Sequence, residues 1–125
     1  FQISEKPIDI YSFIEKINIE LIKLRYNYQS KVFLKKYILD LNSREINRDK
    51  KKLKLTEKEI DTILFLNDRK TPQSIKILLS EVWGYLNEVE THTVETHIYR
   101  LRKKIFNVFN DKNFILSHDD GYLIE

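Results

Sequence analysis

Apolar residues recur with helical spacing between positions 91 and 107. Four of them share one helical face, because they follow one another at spacings of four, three and four residues: Val94, Ile98, Leu101 and Ile105. The opposite face carries short hydrogen-bonding side chains and cations: His92, Thr93, Thr96, Arg100 and Lys103. Such a face suits the major groove of DNA. A surface helix with a solvated basic face has the same pattern, so this helix alone leaves both interpretations open.

Two shorter helices are predicted upstream, and the first has a clear start signal. Thr56 and Glu59 form a capping box, which predicts a helix over residues 57–67. Its inward-facing residues are expected to be Ile60, Ile63 and Leu64, flanked by Phe65 and Leu66.

The second short helix has signals at both ends. Ser74 is the expected N-cap, and Gly84 is the expected C-cap directly after Trp83. This helix is expected to bury Ile75, Leu78, Leu79 and Val82. A loop over residues 85–90 then leads to the basic helix, whose expected cap is Thr91.

Three short strands are predicted before the helices. Residues 32–39 are rich in β-branched and aromatic side chains and indicate one strand, and residues 44–47 and 53–55 indicate two more. Residues 40–43 carry a turn signal. A basic tract is expected to lie in a solvated turn between the second and third strands: Lys50, Lys51 and Lys52.

The two ends of the chain complete the order of elements. Residues 114–117 and 121–124 can pair as a hairpin around His118, Asp119 and Asp120. Residues 8–26 carry apolar positions at helical spacing: Ile10, Phe13, Ile14, Ile17, Leu21 and Leu24. The order predicts an α+β fold, a winged helix-turn-helix with an N-terminal antiparallel sheet, three helices and a C-terminal β-hairpin wing, preceded by an extra helix.

Composition narrows the possible chemistry. Apolar residues make up 42% of the chain, enough for one modest core, and the net charge of +3 does not by itself indicate a nucleic-acid partner. Clustering is more informative, since four of the five residues 100–104 are cations. No stretch is long and apolar enough to span a membrane, and no signal peptide is visible. A cytoplasmic location is therefore expected.

Candidate catalytic and metal-binding groups are few. The absence of cysteine excludes disulfides and thiolate chemistry. His92 and His97 are five residues apart, whereas a shared helical face requires a spacing of three or four. Two glycines cannot build a glycine-rich phosphate loop. We therefore expect no metal, no cofactor and no enzymatic activity.

Residues 32–124 resemble the C-terminal effector domain of OmpR/PhoB-type response regulators. The matching stretches are Leu55-Thr-Glu-Lys-Glu59, Leu79-Ser-Glu-Val-Trp-Gly84, Thr93-Val-Glu-Thr-His-Ile98, Arg100-Leu-Arg-Lys-Lys104 and Gly121-Tyr122. Lys6-Pro7 before a helix also resembles the end of a receiver domain. The resemblance implies that residues 1–30 are the last receiver helix plus a linker and that residues 31–125 are the DNA-binding domain. An unrelated N-terminal helix packed on the sheet is the alternative.

The resemblance implies sequence-specific binding of double-stranded DNA near promoters. It makes residues 91–107 the recognition helix. The expected base-contacting residues are Thr96, Arg100, Lys103 and His92. The expected phosphate-contacting residues are Thr91, Thr93, Trp83, Arg102, Lys104 and Tyr122. For Arg102 the alternative is an ion pair with an internal acid. For Trp83 and Tyr122 the alternative is core packing with the polar end of the side chain at the surface. The loop residues Tyr85, Glu88 and Glu90 match the segment that contacts RNA polymerase in the family, and a plain connector is the alternative for this loop. Homodimerisation is expected through a receiver domain absent from this chain.

Three departures from the family pattern weaken the expected DNA contacts. His92 and Ile75 each stand where an arginine is usual. In the wing, His118, Asp119 and Asp120 replace an Arg-Gly turn, and carboxylates there would repel phosphates. These departures favour an alternative function, a winged-helix domain used for protein–protein interaction or self-association with little DNA binding.

Overall fold

The computed structural model describes residues 17–22, 30–84 and 91–125. Residues 17–22 are helical and are called α1. The remaining elements are β1 (Lys31–Leu34), β2 (Tyr37–Asp40), β3 (Glu45–Arg48), β4 (Lys51–Lys54), α2 (Glu57–Arg69), α3 (Ile75–Trp83), α4 (Thr91–Phe109), β5 (Leu116–His118) and β6 (Gly121–Leu123). The first four strands form an antiparallel sheet in the order β1-β2-β3-β4, and β5 pairs with β6 as the wing.

The single strand predicted over residues 32–39 is wrong, because the structure has a hairpin there. β1 and β2 pair antiparallel and are joined by Lys35 and Lys36, with Lys35 at a φ of 50°. One continuous strand would place every second residue inside and would bury Lys36 together with Val32 and Leu34. The two-residue turn shifts the alternation, so that Tyr37 and Leu39 are buried instead.

The basic tract between β3 and β4 also differs from the prediction. The turn consists of Asp49 and Lys50, both at positive φ, as the tightest hairpin turns require. Lys51 and Lys52 therefore lie in strand β4 and not in the turn. Lysines suit this position because β4 is an edge strand, and charge discourages pairing with another chain.

The helix signals are confirmed. Thr56 and Glu59 form the capping box of α2, Ser74 caps α3, and Gly84 ends α3 in the left-handed conformation. α2 is the centre of the core, since a run of its side chains is completely buried: Ile63, Leu64, Phe65 and Leu66. Helices α2 and α4 each extend two residues beyond the predicted end, and Ile75 is half-buried where burial was predicted. No helix within the described ranges is long and apolar enough to cross a membrane.

The wing is attached to the start of α3 by backbone hydrogen bonds. The Gln73 N–H donates to the Tyr122 carbonyl at 2.7 Å, and the Tyr122 N–H donates back to the Gln73 carbonyl at 2.9 Å. The strands are shorter than predicted, because Phe114 and Ile115 precede β5, although both are buried. The two hydrogen bonds between Gln73 and Tyr122 fix the orientation of the wing relative to α3.

The side of α1 that faces the core differs from the predicted stripe. Ile19 and Ile22 are buried in the core, whereas Leu21 is 53% exposed and Ile17 is exposed as well. The Asn18 amide donates to a Glu81 carboxylate oxygen at 3.4 Å, which places α1 beside α3. The helix predicted over residues 8–26 otherwise lies outside the described residues, as does Lys6-Pro7.

Candidate nucleic-acid interface

Helix α4 is oriented as its apolar pattern predicts. Its buried side consists of Val94, Ile98, Leu101, Ile105 and Phe109. The side opposite is exposed at His92, Thr96, Arg100 and Lys103. The structure therefore brings all four predicted base-contacting residues to one solvent-facing surface, which we call the outward face of α4.

Lys104 is turned away from this face and towards α2. Its ammonium lies 2.7 Å from Oε1 of Glu59, a carboxylate only 7% exposed, and the same oxygen accepts the Thr56 N–H at 2.8 Å. A buried carboxylate requires such a partner. Lys104 is thus the cation that meets the internal acid, the role that the sequence had allowed for Arg102, and this pair links α4 to the first turn of α2.

Arg102 lies on the flank of α4 and lines a groove that the sequence analysis missed. The groove has a volume of about 580 Å³ and is lined by Tyr99, Arg102, Lys103, Phe106, Asn107 and Lys112. We call it the basic–aromatic groove. Tyr99 is 65% exposed, and the Lys112 ammonium lies 5.6 Å from the centre of the Phe106 ring. A sequence signal existed, since Tyr99 and Phe106 are seven residues apart and therefore lie on one side of the helix, next to Lys103 of the outward face.

The N-terminal part of α4 packs against the end of α3. The rings of His97 and Trp83 make an edge contact with centroids 5.2 Å apart, and Trp83 is half-buried. Thr93 is half-buried, and Thr91 is the first residue of α4, so its predicted place outside the helix as a cap is wrong.

The wing and the start of α3 border a second groove of about 320 Å³. Its lining includes His118, Asp119, Asp120, Tyr122 and Lys76. The His118 side chain is exposed, whereas Tyr122 is half-buried and packs against the core. The wing residue His118 and the predicted phosphate-contacting residue Tyr122 therefore line one groove, together with two carboxylates.

A polar cluster links strands β2 and β3 to the residues that follow α4. The Tyr37 hydroxyl donates to Oδ2 of Asp111 at 2.6 Å and accepts from Nη1 of Arg48 at 3.4 Å. Burial, together with the bond to Asp111, raises the pKa of Tyr37 to about 12. Burial acts to raise the pKa of Asp111, but the bonds from Tyr37 and the Asn113 N–H outweigh it, so the net shift is downward. This cluster was not foreseen from sequence.

A family model described as "Transcriptional regulatory protein, C terminal" matches residues 50–124. The chain belongs to this family. The resemblance to OmpR/PhoB-type effector domains is therefore confirmed.

This regulatory domain also has curated relatives. It is 37% identical over 91 residues to the probable transcriptional regulator ycf27 of Guillardia theta, covering 70% of this chain and 36% of that protein. It is 29% identical over 120 residues to the response regulator ArlR of Staphylococcus saprophyticus, covering 95% of this chain and 54% of that protein. The chain thus spans about a third to a half of the length of these relatives.

Solved structures confirm the winged-helix fold. The DNA-binding domain of Klebsiella pneumoniae RstA, in complex with the RstA box, superposes with a TM-score of 0.63 at 20% identity, covering 75% of this chain and 95% of that one. The DNA-binding domain of Escherichia coli CadC gives the same TM-score at 23% identity, with coverages of 74% and 89%.

The polymerase-contact loop and metal binding are the remaining features of the regulatory domain that the sequence analysis addressed. The loop residues Tyr85, Glu88 and Glu90 lie outside the described residues. Within the described ranges, no group of three or more His, Asp or Glu side chains could hold a metal ion.

Proposed function

We propose that this chain binds double-stranded DNA in a sequence-specific manner, with α4 as the recognition helix of a response-regulator output domain. The observation that supports this proposal is the division of α4 into a buried apolar side and an exposed side. The exposed side carries hydroxyl, imidazole and cationic groups, which can read base edges in the major groove. Membership of a transcriptional-regulator family supports the same assignment.

The outward face of α4 suggests distinct roles for its residues. Arg100 can pair bidentately with a guanine, and the Thr96 methyl can contact a thymine methyl, each a form of direct base readout. Lys103 and His92 flank these two positions and complete the base-contacting set.

Phosphate contacts would orient the domain on the duplex. The candidates are Thr91, Thr93, Trp83, Arg102 and Tyr122. Lys104 is omitted from this set, because its ammonium is held by the buried carboxylate of Glu59.

We propose that the activity of the domain is controlled by an upstream receiver. In this scheme residues 1–30 are the receiver's last helix and a linker, residues 31–125 are the output domain, and receiver dimerisation places two copies on repeated half-sites. The loop 85–90 would contact RNA polymerase, and the protein would act in the cytoplasm. The similarity to ArlR over 120 residues supports this arrangement.

The test is selection of bound sequences from a random duplex library at moderate salt, with the parent and an Arg100→Ala variant. The parent should enrich a motif, and Arg100→Ala should relax it at one or two base pairs, a loss of about 1–3 kcal/mol in discrimination. Arg44→Ala, at an exposed arginine in the turn between β2 and β3, is the matched control and should enrich the parental motif. Failure of the parent to enrich any motif would refute the proposal.

The acidic wing favours one alternative function. Asp119 and Asp120 are exposed and would repel phosphates, as expected of a winged-helix domain that binds proteins instead of DNA. Retention on duplex DNA separates the two functions, because groove binding weakens steeply between low and physiological salt. A chain that is not retained even at low salt would favour the alternative.

A further inference from the structure

A pocket of about 350 Å³ opens between the N-terminal sheet and the base of the wing, and we call it the hairpin pocket. It is lined by residues 34–37 of the β1–β2 hairpin, by Asp111, Asn113 and Phe114 after α4, and by Leu116, Ile124 and Glu125 at the base of the wing. None of these residues is a proposed base or phosphate contact. The hairpin pocket and the proposed DNA-binding surface therefore share no residue.

One wall of the hairpin pocket is apolar and belongs to the core. Leu34, Tyr37, Phe114 and Ile124 are each at most 7% exposed. The rings of Tyr37 and Phe114 meet edge to face, with centroids 5.0 Å apart. A flat apolar ring packs well against such a wall. The basic–aromatic groove differs in this respect, because its Tyr99 is largely exposed and a ring bound there would remain mostly in water.

The rim of the hairpin pocket carries two cations and two acids, of which three have direct partners. The Lys35 ammonium lies 3.7 Å from Oε2 of Glu125, and Asp111 accepts the Tyr37 hydroxyl at 2.6 Å. Lys36 is exposed and acts on Asp111 only at longer range. Among the described residues it forms no direct ion pair. Its ammonium is therefore available to an anionic group, which it would bind by charge-assisted hydrogen bonds.

We propose that the hairpin pocket binds a small aromatic carboxylate, with the ring against the apolar wall and the carboxylate at Lys36. Small-molecule sites combine an apolar lining with a few polar groups that fix the orientation of the ligand. Their volumes are about 300–1,000 Å³, and a pocket at the lower end of this range suits a ligand of about one or two rings. An aromatic amine is the competing ligand, since the rim also carries Asp111 and Glu125, but both acids already have partners.

A ligand in the hairpin pocket would contact the β1–β2 hairpin, the segment after α4 and the base of the wing at the same time. Binding to the folded chain alone would therefore stabilise it. For a one-ring probe we expect a Kd on the order of 1 mM, because so small a molecule makes few contacts. Binding this weak is best followed at individual side chains.

We would titrate the chain with benzoate, benzamide and benzylamine and follow its methyl signals by NMR. The three probes carry the same ring with a negative, a neutral and a positive group. Benzoate should shift the methyl signals of Leu34, Leu116 and Ile124 in a saturable manner, because its ring would lie beside them. Benzamide should bind several-fold more weakly, and benzylamine should leave these signals in place.

The variant Lys36→Gln isolates the contribution of the cation. It should reduce the affinity for benzoate several-fold, to that for benzamide, and leave benzamide binding unchanged. Lys52→Gln removes an exposed lysine of β4 outside the pocket and is the matched control, which should keep the parental affinity for benzoate. Both changes lie at exposed positions, and amide spectra compare the fold of each variant with that of the parent.

The proposal would be overturned if benzoate left the three methyl signals in place at concentrations well above the expected Kd. Binding of benzamide or benzylamine as strong as that of benzoate would also overturn it, as would benzoate shifts centred on Tyr99 and Phe106 of the basic–aromatic groove. Equal losses in Lys36→Gln and Lys52→Gln would mean that net charge alone attracts the anion. No DNA is present in the titration, so the outcome is independent of the proposed DNA binding.

Discussion

Gly121 is the residue whose identity is most tightly fixed by its surroundings. Its φ of 141° is a conformation that side-chain-bearing residues rarely adopt, and an added Cβ would collide with the backbone of Gln73 and Ser74. The two backbone hydrogen bonds between Gln73 and Tyr122 depend on this close approach. The glycine therefore permits the wing to dock on α3.

We expect Gly121→Ala to destabilise the domain by about 2–4 kcal/mol, because backbone strain adds to a steric collision. Asp120→Ala, at the exposed neighbouring position, should change the free energy of unfolding by less than about 0.5 kcal/mol. Urea unfolding of both variants measures the difference. Equal stabilities for Gly121→Ala and the parent would mean that the wing is not docked as described.

Tyr37 should make stability depend on pH in the alkaline range. Its pKa is about 12 in the folded chain, against an ordinary value of 10.0. The folded state therefore holds the phenolic proton more tightly than the unfolded state, so this stabilisation is complete below pH 10 and is lost as pH rises towards 12. Tyr37→Phe should show a smaller fall in unfolding free energy between pH 10 and 12 than the parent. An identical fall in both chains would mean that the pKa of Tyr37 is not raised.

At the residue scale, sequence predicted exposure better than it predicted partners. The outward positions Thr96 and Arg100 follow from local helical spacing, which the sequence displays directly. The partner of Lys104 does not, because Glu59 is 45 residues away and is brought close only by the packing of α2 on α4. The position of Arg102 around the helix left its role open for the same reason.

At the scale of elements, α1 shows that the buried side of a helix depends on the core it packs against. The predicted stripe included Ile17 and Leu21, yet the core buries Ile19 and Ile22. Both sets have helical spacing, so the sequence alone cannot distinguish them. Packing into the core beside α3 determines which set is buried.

We expect Ile22→Ala to lower the unfolding free energy by about 2–4 kcal/mol, because it leaves a cavity in a buried site. Leu21→Ala, its exposed neighbour, should cost less than about 1 kcal/mol. Thermal or urea unfolding of the two variants gives the comparison. A larger loss for Leu21→Ala would reverse the orientation of α1.

The pair between Glu59 and Lys104 connects the capping box of α2 to the recognition helix. Lys104→Met should destabilise the domain by about 1–3 kcal/mol, since it leaves a buried carboxylate without its cation. Adding Glu59→Gln should recover part of this loss, as the buried charge is then removed. Urea unfolding of the single and double variants measures both effects.

Measuring DNA binding by the Lys104→Met variant shows whether Lys104 positions α4 or contacts a phosphate. A positioning residue should leave the slope of log affinity against log salt unchanged, whereas loss of a phosphate contact would reduce it by about 0.9. A reduced slope would return Lys104 to the set of phosphate-contacting residues.

Helices were easier to predict than strands in this chain. Capping residues such as Thr56 and Ser74 act locally, so the starts of α2 and α3 were visible in the sequence. The β1–β2 hairpin was missed because its turn consists of Lys35 and Lys36, residue types with no turn preference. The change in alternation between Leu34 and Tyr37 was the available signal.

At the scale of the whole molecule, the order of the predicted elements was enough to predict the fold. The distribution of charge over the surface could not be predicted from the sequence. A net charge of +3 is an average over surfaces of opposite character. The outward face of α4 and the basic–aromatic groove are cationic, whereas the wing tip is acidic. Only the folded chain shows which residues share each of these surfaces.

The acidic wing should oppose DNA binding by a single copy. If the wing approaches the phosphate backbone as α4 enters the major groove, replacing Asp119→Asn and Asp120→Asn together removes two repulsive charges. We expect affinity for an isolated half-site to rise about two- to fivefold at low salt, the size of a weak surface interaction. The gain should disappear at high salt, because screening removes the repulsion. Fluorescence anisotropy across a salt series measures both.

The matched control for net charge is a second double variant, Glu45→Gln with Asp49→Asn, which removes two negative charges from β3 and the turn after it. It should leave the affinity for the half-site unchanged at low salt, because screening and distance weaken its effect on the phosphates. Equal affinities of the wing variant and the parent would place the wing tip away from the DNA. A gain as large in the control as in the wing variant would mean that net charge, and not the position of the two carboxylates, sets the affinity.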